Sequence, residues 1–346
     1  KRRPDDIISE HSLHARMGGI ENLLLWDRGT FIHRNHVRMP IDLLQSIKVY
    51  IINRLYTDVP YISVSGVYGK FQQELAAHGI SSESALYSCL RDNISSPITF
   101  PEYPYFMLEE KGPERLPLPL VLSKYVENCN GQITWQELRD YAVNMMHISE
   151  QLLSIHLSNI PNLLRINKGE YIHGSQLNIT TEDIESIACH VDRILATERH
   201  ISVVKIFEEK RVTCKLLGIA TPMLLHSLLA QFCEDRFDVA RYPSIQKLHN
   251  HTVHSTRRFS INTEMVDFIR KKNAVCSLTS LYEYYGEKLG YSYSHVSNVR
   301  YDKDIYYYSE GAVVHADTLQ WTECKQLRLE QIAQRHLQDR ILPLGE

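Results

Sequence analysis

The chain has no pair of cysteines at metal-ligand or redox spacing. Its seven cysteines, Cys89, Cys129, Cys189, Cys214, Cys233, Cys276 and Cys324, stand singly, and their number is odd. That pattern argues against a disulfide framework and against a zinc ribbon. Reduced, mostly buried thiols in a cytoplasmic protein are expected instead. Also missing is a run of about 18 apolar residues, the length a membrane-spanning helix needs. The first residues, Lys1-Arg2-Arg3-Pro4-Asp5-Asp6, have no apolar stretch behind them and do not read as a secretory signal. No Walker-type phosphate loop, no GxGxxG after a strand, no GxSxG and no HExxH occurs. Serine, histidine and aspartate are all present, but nothing places them together, and the expectation is a non-enzyme with no cofactor and no metal.

A strong net charge is lacking too. The formal value is -3, which argues against strong, non-specific nucleic-acid binding by the chain as a whole, so charge has to be read locally. What is present is an ordinary globular composition: 346 residues, 43% hydrophobic and 23% charged. That length allows two to three domains, or more if they are small.

The sequence repeats itself. Asn22-Leu23-Leu24, Gly29, Phe31, Ile32 and His33 return as Asn162-Leu163-Leu164, Gly169, Tyr171, Ile172 and His173, each displaced by 140, and Ile8-Ser9-Glu10 returns as Ile148-Ser149-Glu150. A third copy of the hairpin end is Gly311, Val313, Val314 and His315. A second set is displaced by 139: Ile62-Ser63-Val64 with Ile201-Ser202-Val203, Gly79-Ile80 with Gly218-Ile219, Leu86/Ser88/Leu90 with Leu225/Ser227/Leu229, and Tyr103-Pro104 with Tyr242-Pro243. Many matches at nearly one offset point to an internally duplicated array. The block of about 140 residues holds two unlike halves, A and B. The expected order is the end of a B module (1–39), A1 (40–110), B1 (111–176), A2 (177–250), B2 (251–316) and a closing C-terminal helix (317–346). A chain that starts within a module is expected to be part of a longer protein.

Each module has a legible element order. In A1, apolar residues at 43, 44, 47, 51, 52 and 55 give a helix over Ile41–Leu55. Tyr61–Val64 reads as a strand, Tyr68–Ala77 as a helix stopped by Gly79, and Ser81 or Ser82 as the cap of a third helix to about Arg91. Extended sequence follows over Ile98–Leu108. In B2, helices are expected over Glu264–Lys271, over Leu278–Leu289 (ended by Gly290) and from His295 to Arg300. A β-hairpin over Asp304–Tyr308 and Ala312–His315 turns at Ser309-Glu310-Gly311. Helix, helix, glycine turn, helix and hairpin resembles the winged helix-turn-helix superfamily over nearly the whole chain. The fold class so implied is mainly α with small β-hairpins (α+β), as tandem winged-helix modules that gain stability by stacking. B1 departs from the pattern, with Met145-Met146-His147 where the other modules carry glycine.

Several motifs have a structural explanation. The recurring His33, His173 and His315 at the hairpin ends are expected to cap or hydrogen-bond within their modules. His249-Asn250-His251 with His254 has no cysteine or carboxylate at familiar spacing, so a metal site there is not expected. The dense tyrosines, Tyr282, Tyr284, Tyr285, Tyr291, Tyr293 and Tyr306-Tyr307-Tyr308, are divided between core and contact surface.

Charge singles out the last module. Residues 41–110 carry four bases against eight acids, residues 1–40 seven bases against five acids, and residues 257–303 eight bases against five acids. The third helix of B2 would offer Tyr293, Ser294, His295, Asn298 and Arg300, with Ser292 and Ser297, to a major groove. Lys303 starts the wing, and Arg257, Arg258, Lys271 and Lys272 would meet flanking phosphates. The third helix of A2, Met223–Phe232, is apolar and suits packing or protein contact. The leading expectation is a DNA-binding array of tandem winged helices in a larger cytoplasmic protein of prokaryotic style, acting on double-stranded DNA with no membrane partner. The alternative is a protein–protein interaction scaffold working through the acidic A modules. An enzyme with a site assembled between modules is a third class, which a concave pocket of titratable groups with shifted pKa values would support.

Overall fold

The computed structural model describes residues 17, 20, 22–27, 29–57, 59–239, 241–248, 260–319 and 322–337. They fall into two compact units, 1–177 and 178–346. Both are mixed α/β, dominated by helices, with small antiparallel sheets of two or three strands. Among the described residues no helix is long and apolar enough to cross a membrane.

The first unit opens with a hairpin, β1 (Leu23–Asp27) and β2 (Thr30–His33), followed by α1 (Ile41–Leu55). Ile47, Ile51 and Leu55 are fully buried and lie four residues apart, which makes the single apolar stripe an amphipathic helix presents to a core. The sequence pattern gives α1 with the observed limits. After β3 (Ile62–Ser63) the expected single helix is two, α2 (Val64–Lys70) and α3 (Gln72–Ala77), because Phe71 leaves helical geometry at φ -111° and ψ 18°. Gly79, at φ 75°, ends this pair, and α4 (Glu83–Asn93) starts at Ser82, whose hydroxyl accepts from Ala85 N at 3.0 Å. Strands β4 (Ile98–Thr99) and β5 (Tyr105–Leu108) complete a sheet of order β3-β5-β4.

The unit continues with α5 (Leu118–Asn128), β6 (Ile133–Thr134) and α6 (Trp135–Arg139), the last begun by a capping box of Thr134 and Glu137. A π-helical stretch, Asp140–Met145, extends α6. Then come α7 (Glu150–His156), β7 (Leu163–Asn167) and β8 (Glu170–His173), in a sheet of order β6-β8-β7. The turn that lacks glycine is built all the same: His147 takes φ 60°, the left-handed backbone that Gly79, Gly218 and Gly290 take elsewhere. One apolar core runs from Ile47 in α1 to Tyr171 in β8.

The second unit begins with α8 (Thr181–Leu195), β9 (His200–Ser202), α9 (Val203–Glu209), α10 (Arg211–Leu216) and α11 (Pro222–Phe232). In α11, Leu224, Leu225, His226, Leu228 and Leu229 are all buried, so the apolar third helix of A2 is spent on packing within its own unit. Strands β10 (Phe237–Asp238) and β11 (Ser244–Lys247) form a sheet of order β10-β11-β9. The last part holds α12 (Ile261–Lys272), β12 (Cys276–Ser277), α13 (Leu278–Leu281), α14 (Tyr293–Ser297), β13 (Ile305–Ser309), β14 (Ala312–His315) and α15 (Glu323–Leu337). The expected α-helix over 278–289 keeps four α-helical residues and becomes π-helical over Tyr282–Lys288. Gly286 lies there against the Tyr282 ring, and a β-carbon on it would fall 2.3 Å from that ring. The third helix is shorter than expected: five α-helical residues and then a 3-10 turn, Asn298–Tyr301.

Candidate nucleic-acid interface

The start of α14 is held by Ser292. Its hydroxyl accepts from His295 N at 3.4 Å and lies 2.7 Å from His295 Nδ1. Val296, Ser297 and Val299 are buried and anchor the segment, while Ser292, Tyr293, Ser294, His295 and Asn298 are exposed. Ser297 departs from the expected outward face, since its hydroxyl turns back to donate to Ser294 O at 3.2 Å. Arg300 is half-buried and donates to the Tyr301 hydroxyl at 2.8 Å. Hydrogen bonds to Tyr301 and Tyr307 hold its pKa above the ordinary arginine value, so its guanidinium is already engaged within the protein.

The hairpin beside α14 is an outer one. In the sheet order β12-β14-β13, β13 is an edge strand, and only Ile305 along it is buried. Side chains alternate between faces along a strand, so the exposed Tyr306, Tyr307 and Tyr308 put phenol rings on both faces of this edge. The other tyrosines divide by burial: Tyr285 and Tyr291 belong to the core, Tyr282 packs against it, and Tyr284 and Tyr293 are exposed. Tyr293 meets the Tyr282 ring edge-on at 5.4 Å.

A cavity of about 700 Å³ opens between β11, the start of α12 and α14. Of the sequence-derived residues, His295, Asn298 and Lys303 line it. Arg241, Gln246 and Asn262 join them from distant elements, Tyr291 from just before α14 and Tyr301 from the 3-10 turn, and Asp238 and Asp302 supply carboxylates. Asp302 is held in place: Oδ2 accepts from Asn262 Nδ2 at 2.9 Å and Oδ1 from Asp304 N at 3.1 Å. Two polar atoms of lining residues, Asn262 Oδ1 and the Tyr291 hydroxyl, are closed to water and unpaired. The latter lies beside Ser244 without a well-formed hydrogen bond. A buried polar atom without a partner costs about 1–3 kcal/mol.

The remaining sequence-derived residues lie elsewhere. Lys271 and Lys272 are exposed at the far end of α12, ten residues beyond Asn262, which at 1.5 Å per residue is about 15 Å away. They do not share the cavity. Arg257 and Arg258, and with them His249, Asn250, His251 and His254, lie outside the described residues. Among the described residues no group of three or more His, Cys, Asp or Glu side chains is placed to hold a metal ion.

The recurring histidines act structurally. At each hairpin end the imidazole Nδ1 accepts from the backbone N–H two residues on: His33 from Asn35 at 3.3 Å, His173 from Ser175 at 3.3 Å and His315 from Asp317 at 3.1 Å. With Nδ1 accepting, the proton sits on Nε2. In His173 that atom reaches the Ser123 hydroxyl at 3.2 Å, which donates in turn to Pro161 O.

The pKa shifts around the cavity do not create a nucleophile. Burial raises Tyr242 and pushes Tyr291 up to about 12, so both phenols keep their protons at neutral pH. Arg241, Gln246 and Asn262 had no sequence signal as site residues. Dividing the chain into A2 and B2 put them in different modules, and only packing within the unit brings them to one place.

No protein-family model matches the chain, and no curated protein matches it.

Proposed function

We propose that the chain is a non-enzymatic, tandem winged-helix array that binds double-stranded DNA through its last module. The observation that carries this reading is the start of α14, where four consecutive polar residues, Ser292 to His295, are exposed beside an exposed hairpin. A third helix and an adjacent hairpin of this kind suit a major groove and its flanking backbone. On this reading Lys303, exposed at the foot of β13, meets a phosphate.

The duplication is part of the same proposal, and strand register supports it. Leu23↔His33, Leu24↔Ile32, Leu25↔Phe31 and Asp27↔Thr30 in the first hairpin correspond, displaced by 140, to Leu163↔His173, Leu164↔Ile172, Arg165↔Tyr171 and Asn167↔Glu170. Ile62↔Phe106 and Ser63↔Tyr105 correspond, displaced by 139, to Ile201↔Ile245 and Ser202↔Ser244. Val64 N donates to Pro104 O, and Val203 N to Pro243 O, both at 2.8 Å. The left-handed turn is gripped in both copies as well: Ser63 N donates to Met146 O at 2.9 Å, and the Ser202 hydroxyl to Leu289 O at 2.6 Å.

The test is binding to a labelled random duplex by fluorescence anisotropy across a salt series, with a Tyr293→Ala/Ser294→Ala variant and a Lys271→Ala/Lys272→Ala variant. Affinity is expected to fall steeply with salt, and each phosphate contact removed should reduce the log–log slope by about 0.9. Absence of binding at low salt would reject the reading.

A protein scaffold is the second reading, and β13 favours it. Its outer edge is unpaired within the sheet and flanked by tyrosines, which suits addition of a partner's strand. Tyr307→Pro should then abolish partner capture, with circular dichroism verifying that the variant is folded.

A further inference from the structure

We propose that the cavity between β11, the start of α12 and α14 binds a single nucleotide unit, a planar heterocycle carrying a phosphate. This goes beyond duplex binding by the exposed face of α14 and does not depend on it. A volume of about 700 Å³ falls within the range of small-molecule sites and is far too small to admit a double helix. The wall chemistry suits a nucleotide in three ways. Tyr242, Tyr291 and Tyr301 supply aromatic surface for a flat ring. Gln246, Asn262 and Asn298 supply amides, which can both donate to and accept from a base edge. Arg241 and Lys303, both exposed, enter no ion pair among the described residues and are free to receive a phosphate.

Two further features define the lining. Asn262 Oδ1 and the Tyr291 hydroxyl are unpaired, and Tyr291 is only 6% exposed. Both atoms are closed to water, so the wall surface around them, not the atoms themselves, is what a base would touch. The one carboxylate next to them, Asp302, already accepts from Asn262 and from the Asp304 backbone, which limits its repulsion of an anion. Asp238, the other cavity carboxylate, also has a partner.

The nucleotide has two possible sources, a free mononucleotide or the unpaired end of a strand, and the experiment separates them. The probe is 2-aminopurine, whose fluorescence drops on stacking against tyrosine. It is offered to the full chain as the free 5′-monophosphate, as a single-stranded overhang on a duplex, and within a blunt duplex. The variants are Arg241→Ala and Asn298→Ala, both at exposed positions, with Lys271→Ala as a control away from the cavity. Circular dichroism and the thermal midpoint verify that each variant is folded.

Quenching by the free nucleotide, weakened at least tenfold by Arg241→Ala and by Asn298→Ala but not by Lys271→Ala, supports the proposal with a soluble ligand. The same dependence seen only with the overhang supports it with a strand end. Absence of quenching from both, or quenching indifferent to the two cavity variants, overturns it. Blunt-duplex binding without either effect would leave the duplex reading standing and reject this one. Nucleotide binding without blunt-duplex binding would do the reverse.

Discussion

Gly66 lies against the imidazole of His147 so closely that a β-carbon on it would fall 2.0 Å from the ring's Cγ. Gly66 is in the interior of α2, where glycine costs about 1 kcal/mol relative to alanine, and the empty space it leaves is filled by the histidine. His147 Nε2 is 3.1 Å from the Tyr50 hydroxyl, and the two rings stack with planes 17° apart. A turn without glycine is therefore stabilised by a side chain, and the helix facing it gives up a methyl group to make room.

Gly66→Ala should therefore lower stability although it improves helix propensity. Overpacking of this kind costs about 1–3 kcal/mol. Introduced into His147→Gly, the same change should become neutral or stabilising. Urea unfolding of the two single variants and the double variant measures the coupling.

Acid should weaken the first unit through His147. Burial, reinforced by the nearby Arg54 charge, lowers its pKa from 6.5 to about 4. Between those values the unfolded chain binds the proton and the folded chain does not, so stability falls as pH drops from about 6.5 to about 4. His147→Asn keeps a residue tolerant of left-handed backbone and removes the titration. Its urea midpoint should lose less than the parent's between pH 7 and pH 4.5.

The hairpin histidines are chemically alike and should differ in worth. His173 is buried and bonded at both ring nitrogens, whereas His33 is exposed. His173→Ala should cost about 1–3 kcal/mol, because it leaves buried groups unpaired. His33→Ala should cost well under that range. Thermal unfolding of the two variants ranks them.

Thiol labelling should divide the cysteines into three and four. Cys129, Cys189 and Cys324 are exposed, while Cys89, Cys214, Cys233 and Cys276 are buried. Burial pushes Cys89 up to about 12 and Cys214 and Cys233 up to about 11, which suppresses the reactive thiolate. At pH 8 three thiols should react quickly and four only after denaturation, with Cys129 slower than Cys189 because partial burial raises its pKa too.

Elements whose signals are local were legible in the sequence. The apolar spacing of α1 gave its limits, Ser82, one of the two serines expected to cap α4, does so, and Gly79 and Gly290 occupy left-handed turns. Elements that depend on an unusual helical pitch were not legible. The π-helical stretches at Asp140–Met145 and Tyr282–Lys288 keep the apolar pattern of an ordinary helix. In the candidate site, His295, Asn298 and Lys303 could be found because they follow one another along a single segment. Arg241, Gln246 and Asn262 could not, since they reach the cavity only through packing of β11 against α12 and α14. Lys271 and Lys272 were grouped with that site by charge alone, and the length of α12 separates them from it.

The three long hairpins share one irregularity. Each shifts register by a residue just before its turn, between Leu25 and Asp27, Arg165 and Asn167, and Tyr307 and Ser309, and each turn ends on a left-handed glycine, Gly29, Gly169 or Gly311. Because the kink and the glycine fix the geometry, the residues at the tip carry no responsibility for the strands below them. The tips are therefore interchangeable cassettes. Exchanging the tip dipeptide Asn167-Lys168 for its counterpart Ser309-Glu310 should therefore leave the strands of both hairpins in register.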